Sequence, residues 1–97
     1  MNMQTMLKQA QQMQKQMLQE QEKINNATFT GENGLVKVTM KGTKRIEKVD
    51  IQKEDDFSSD DLEMLEDMIM VAVNDCLGQI DKETEEKLGK YTKGLPF

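Results

Sequence analysis

The one clear β signal in this sequence lies in the stretch Gly31 to Ile51, and a long helical pattern stands on each side of it. Val36, Val38 and Met40 alternate with Leu35, Lys37, Thr39 and Lys41, the period-2 pattern of a half-buried strand with one apolar face. Asn33-Gly34 before this run and Gly42-Thr43-Lys44 after it are suited to reversing the chain, so both connections are expected to be hairpins. Val49 and Ile51 resume the alternation, but Ile46 is out of phase with them. The third strand must therefore start late or carry a bulge near Arg45 to Glu47. Ala27 and Phe29 supply a short first strand. The expectation is an α+β chain of order α-β-β-β-α, with a three-stranded antiparallel meander flanked by two long helices.

The first helical pattern lies between Met3 and Ile24. Met3, Met6, Ala10, Met13, Met17 and Ile24 recur at spacings of 3, 4, 3, 4 and 7, with Glu20 filling the gap, which is a heptad a/d seam. Eight glutamines between Gln4 and Gln21 would suit a disordered tract, but the heptad register favours a helix. A methionine seam is soft and adaptable, and reads as a packing face rather than a metal cluster. Lys8 and Lys15 fall at successive f positions, with no acidic residue before Glu20. The outer face of this helix is basic.

In the second pattern Leu62, Leu65, Ile69, Ala72, Val73, Cys76 and Ile80 recur at 3 and 4, the most apolar face in the chain. Ser58, Ser59 or Asp60 can cap its start, and Asp60 and Glu63 have capping-box spacing. The acidic cluster around them suits a helix N-terminus and lacks the spacing of a Ca²⁺ loop. Gly78 interrupts the pattern, marking a close backbone approach or a weak point. Asp81 to Lys90 is almost wholly charged and is expected to project into solvent. The boundaries are a single domain over 1–97, with a helix over about 2–25, a sheet over about 27–52, a helix over about 60–90 and a tail over 91–97.

A chain of 97 residues with four aromatics has little material for a self-sufficient core. A helix of about 30 residues is about 45 Å long, whereas strands of six residues span about 20 Å. The helices must overhang the sheet, and their seams stay uncovered unless a second chain meets them. A homodimer with helical arms follows, its dimer and core positions being Met6, Met13, Met17, Leu65, Ile69 and Val73.

Function classes narrow quickly. There is no histidine, no cysteine pair, no phosphate-loop glycine pattern and no nucleophile elbow, so neither an enzyme nor a cofactor or metal site is expected. Glu47 and Asp50 are more simply solvated ion partners among lysines than an acid/base pair. Cys76 lies on the apolar helix face and reads as a small buried residue. No run is apolar enough for a signal peptide or a membrane span, and a cytoplasmic protein is expected. The net charge of −5 hides an asymmetry. Residues 1–53 hold nine basic against five acidic side chains, and residues 54–97 hold four against thirteen. A basic first half can bind polyanions despite the acidic total.

Four blocks carry a resemblance. Leu7-Lys8-Gln9-Ala10-Gln11-Gln12-Met13-Gln14-Lys15-Gln16-Met17, then Gly34-Leu35-Val36-Lys37-Val38-Thr39-Met40-Lys41-Gly42, then Leu65-Glu66-Asp67-Met68-Ile69-Met70-Val71-Ala72-Val73-Asn74-Asp75, and the closing Leu95-Pro96-Phe97 resemble the YbaB/EbfC family of bacterial nucleoid-associated proteins. The resemblance implies an α-β-β-β-α homodimer with tweezer-like arms that binds double-stranded DNA and works at the nucleoid. The family's usual Gly- and Pro-rich segment before the ending is shortened here to Lys93-Gly94-Leu95-Pro96-Phe97. Phosphate contact needs cations on a face free of carboxylates, and the candidates are Lys8 and Lys15 on the first helix, Lys37, Lys41 and Lys48 on the polar side of the sheet, and Lys44 and Arg45 at the second turn. Little of this set can read base edges, so little sequence specificity is expected. The alternative function is a dimeric helical scaffold or adaptor that binds proteins, suggested by the acidic end of the second helix and the methionine seam.

Overall fold

The computed structural model describes residues 2–92. Helix α1 (Met3–Asn26) leads into strands β1 (Thr28–Asn33), β2 (Val36–Lys41) and β3 (Ile46–Ile51). A 3-10 turn (Ser59–Asp61) then opens helix α2 (Leu62–Thr92). The strands form one antiparallel sheet in the order β1-β2-β3. The tail expected from residue 91 is overtaken by α2 through Thr92, and its remainder lies outside the described residues.

Each hairpin has a local cause. Gly34 and Leu35 form a two-residue turn closed by the Asn33–Val36 pair, and Gly34 holds a φ of 55° at the first central position, where glycine pays no steric penalty. Around the second turn the Lys44 N–H donates to the Lys41 carbonyl at 2.8 Å, and Lys44 itself is left-handed with a φ of 71°. The register then shifts between Thr39 and Met40, so that Thr39 pairs with Lys48 but Met40 pairs with Ile46. Glu47 is the extra residue. This bulge returns Ile46 to the face of Val49 and Ile51, which resolves the phase mismatch seen in the sequence.

Helix α2 lies across β1 and β2 and covers one face of those two strands. Val36, Val38 and Met40 from β2 are sealed beneath Ala72, Cys76 and Ile80, with Phe29, Leu65, Met68, Ile69, Val73 and Leu77 around them. Gly31 on β1 lies directly under the helix, and a Cβ there would run into the Ala72 carbonyl oxygen. The Cys76 thiol donates to the Val38 carbonyl at 3.5 Å, and burial pushes its pKa up, which suits an inert packing group. Gln79 Nε2 donates to the Thr30 carbonyl at 2.7 Å and fixes the helix along the β1 edge.

At the start of α2 the cap is Ser58, one of the three expected candidates, but the capping-box pair is not the expected one. The Ser58 N–H donates to the Asp61 carboxylate at 2.9 Å, so the capping pair is Ser58 with Asp61 rather than Asp60 with Glu63. The 3-10 turn Ser59–Asp61 precedes α2, so the capping box closes around that turn rather than around the first turn of the α-helix. Gly78 is exposed, with nothing within 4 Å of where a Cβ would stand, so it is a weak point and not a close approach. Gly78→Ala is expected to stabilise the fold by about 0.5–1 kcal/mol in urea denaturation. Destabilisation would show that Gly78 has a packing role.

The charged end of α2 does not simply project into solvent. α1 packs against it, and Ile24 is buried beside a groove bordered by Glu20, Lys23, Glu83 and Lys87. Thr84 and Leu88 are half-buried there. The base of α1 is held by the β2–β3 turn, where the Gly42 N–H donates to the Ala27 carbonyl at 3.1 Å. Beyond this elbow α1 extends into the open, and residues 2–16 are exposed throughout. The radius of gyration is 19.9 Å, against about 12–13 Å for a compact chain of this length. The molecule is a two-layer body with a long arm.

Candidate nucleic-acid interface

The arm is helical from its first residues because the Asn2 side chain accepts from the Thr5 N–H at 2.8 Å, satisfying an otherwise orphaned donor. Lys8 and Lys15 stand about 10 Å apart on one stripe of this helix. Both are exposed, and neither has an ion-pair partner among the described residues. No carboxylate precedes Glu20, so the free end of the arm is basic, whereas Glu22, one heptad beyond Lys15, borders the same open groove as Lys15.

The other five candidate cations sit in different surroundings. Lys37, Lys41 and Lys48 do share the outer face of the sheet, opposite the α2-covered face, but carboxylates are interleaved with them. Lys37 lies 3.9 Å from Glu32, Lys41 lies 3.9 Å from Glu47 and Lys48 lies 3.1 Å from Asp50. The expected basic sheet face is electrically balanced. Antiparallel register is the cause, since Lys37 is placed opposite both Glu32 and Asp50.

Lys41 has structural partners as well. Its ammonium donates to the Asn26 carbonyl at 3.3 Å and to Thr28 Oγ1 at 3.2 Å, so it closes the C-terminal end of α1, where a cation suits the helix dipole. Lys44 lies 3.2 Å from Asp81 of α2. These exposed pairs are worth little to stability, but each offsets a charge that a phosphate would otherwise meet.

Arg45 is different. It has no ion-pair partner among the described residues and borders an open groove at the elbow with Asn25, Asn26, Lys41, Thr43 and Glu47. Asn25 and Asn26 were not singled out from the sequence, where an Asn-Asn pair after a helical pattern reads only as a stop signal. Their amides, the Thr43 hydroxyl and the Arg45 guanidinium make this groove rich in hydrogen-bond donors.

The dimer and core candidates also divide. Leu65, Ile69 and Val73 pack against the core. Met17 is half-buried, and Met6 and Met13 stay exposed on the arm. A second uncovered apolar area lies on the body. Ile46, Val49 and Ile51 of β3 point to the same side as the buried residues of β2, but α2 does not reach them and each remains more than 40% exposed. Among the described residues no helix is long and apolar enough to cross a membrane.

Comparison with known proteins agrees with this architecture. The profile of the YbaB/EbfC DNA-binding family matches residues 1–95. A nucleoid-associated protein of Lactococcus lactis subsp. lactis is 54% identical over 99 aligned positions, covering 100% of this chain and 99% of its own. Another nucleoid-associated protein, from Enterococcus faecalis, is 50% identical and covers 98% of this chain and 92% of its own. The crystal structure of an uncharacterized protein from Helicobacter pylori superposes with a TM-score of 0.72 over 97% of this chain and 99% of that one, and at 23% identity this is a likeness of fold. With a family match along nearly its whole length and relatives at half identity or better, the chain belongs to the YbaB/EbfC DNA-binding family.

Proposed function

We propose that the protein binds double-stranded DNA as a homodimer, mainly through phosphate contacts made by the α1 arms, with little sequence specificity. It does so at the nucleoid in the cytoplasm, where it organises or regulates the chromosome. The observation that carries this reading is the free arm, on which Lys8 and Lys15 stand exposed, without an ion pair and with no carboxylate before Glu20. Arg45 and the donor-rich elbow groove extend the same surface toward the body. Lys37, Lys41, Lys44 and Lys48 belong to a second rank, because each must give up a nearby acid to meet a phosphate. The uncovered apolar side of β3 supports the dimer. Ile46, Val49 and Ile51 would leave water together if a second copy covered them, at about 25 cal/mol per Å² of buried apolar surface.

Duplex binding at two salt concentrations is the test. Four arm lysines in a dimer contribute about −3.6 to the slope of log affinity against log salt and Arg45 adds to it, so affinity should fall by at least on the order of 100-fold between about 50 and about 200 mM. Binding that barely changes with salt would favour apolar docking and an adaptor role.

A further inference from the structure

The arm presents a second surface, distinct from its lysine stripe. Met3, Met6, Ala10 and Met13 form the a/d seam on residues 2–16, and all four are exposed, Met3 at 84%. No part of the described chain covers them. An isolated helix of this length is marginal in water, yet the Asn2 cap and the absence of glycine and proline commit the sequence to helix up to its end. From this geometry we infer that the α1 seam docks antiparallel on the α1 seam of a second copy of this chain, joining molecules through their arms.

Three features of the arm identify a second copy as the occupant. The first is register. In an antiparallel pair, a positions layer against d positions, and with the two-fold axis beside Lys8, Met3 faces Met13 of the second copy while Met6 faces its Ala10. The seam therefore closes on itself in four layers, and none is left without a partner. A methionine opposite the small alanine also fits, since a flexible side chain fills the space left by a small one.

The second feature is charge. The e and g positions flanking the seam over this span are Leu7, Gln9, Gln14 and Gln16, all uncharged. Two identical basic arms can therefore meet without like charges across the edges, which usually decide whether a helix tolerates its own copy. Lys8 and Lys15 are at f, on the far side of the helix, and stay available after pairing.

The third feature is shape. The free segment is about 20 Å long at the far end of a molecule 72 Å in its longest dimension, so antiparallel pairing places the two bodies at opposite ends without collision. The β3 surface remains open for the homodimer contact. Two separate self-complementary surfaces on one chain allow dimers to be linked in series, and dimers aligned on one duplex would gain from high effective concentration.

Disulfide trapping tests this in the full-length protein, because it accumulates even a weak contact. One preparation carries Met6→Cys and a second, enlarged by a tag, carries Ala10→Cys. Both substitutions are on the exposed arm, and the native Cys76 is buried. After mixing under mild oxidation without DNA, the tagged-to-untagged product is expected to form at least about tenfold faster than from a matched pair at the outward positions Gln4→Cys and Gln11→Cys. Equal rates for the two pairs would overturn the proposal. So would trapping dominated by Ala10→Cys with itself, since that product requires either parallel arms or an antiparallel register centred on Ala10, and neither sets Met6 against Ala10. A failure here leaves DNA binding untouched, because the salt response of duplex binding is measured separately.

Discussion

Gly31→Ala is expected to cost about 3 kcal/mol or more of folding stability, a large share of what a domain of this size has. The cause is space rather than backbone conformation, since Gly31 does not hold a positive φ. A Cβ at this position would meet the Ala72 carbonyl oxygen, with Cys76 Sγ at 3.1 Å and the Asp75 Cβ at 3.2 Å. A flexible side-chain tip could swing aside, but a helix carbonyl cannot move without the helix. α2 would have to lift from β1, which would open the cluster of Val36, Val38, Met40, Ala72, Cys76 and Ile80. Urea denaturation followed by circular dichroism measures the loss. A change within about 0.5 kcal/mol would mean that α2 does not approach the sheet this closely.

Lys8→Ala combined with Lys15→Ala is expected to weaken duplex binding at least about 100-fold at low salt, and similarly on unrelated sequences. In a dimer the pair of substitutions removes four cations from the arms. Both positions are off the a/d seam and exposed, and alanine is the best helix former, so fold and assembly should be unchanged. The same change at Lys37 and Lys48 should cost much less, because their carboxylate neighbours already offset them. Fluorescence anisotropy on labelled duplexes reads both variants. Equal losses would show that the ion pairs across the sheet open freely to DNA.

Much of the fold was readable from local pattern. Alternation through Val36, Val38 and Met40 identifies the central strand, and the mismatch at Ile46 correctly signals the bulge, because a single extra residue reverses which face a side chain takes. Heptad spacing likewise locates α1. The charged stretch from Asp81 to Lys90 was harder, because the groups that bury there, Thr84 and Leu88 beside Ile24 of α1, are few among many charges. Long charged side chains can border a packed seam while keeping their heads in water.

The site was only half legible for a related reason. Segregation of charge along the chain points to the first half, but not to which lysines lie beside carboxylates. Lys37 and Glu32 are five positions apart and meet only because the first hairpin pairs them. Lys44 and Asp81 are far apart in sequence and meet because α2 passes the second turn. Lys8 and Lys15 are in no ion pair among the described residues for a reason the sequence does show, which is that no acid precedes Glu20 on the arm.

The most direct measurement is a salt titration of duplex binding by the wild type and the Lys8→Ala/Lys15→Ala variant on two unrelated sequences, with molecular mass checked by light scattering. The predicted result is an intact dimer in both, with a log-log slope that flattens by about 3.6 in the variant on either sequence. An unchanged slope in an intact dimer would contradict the account and move the DNA surface away from the arms.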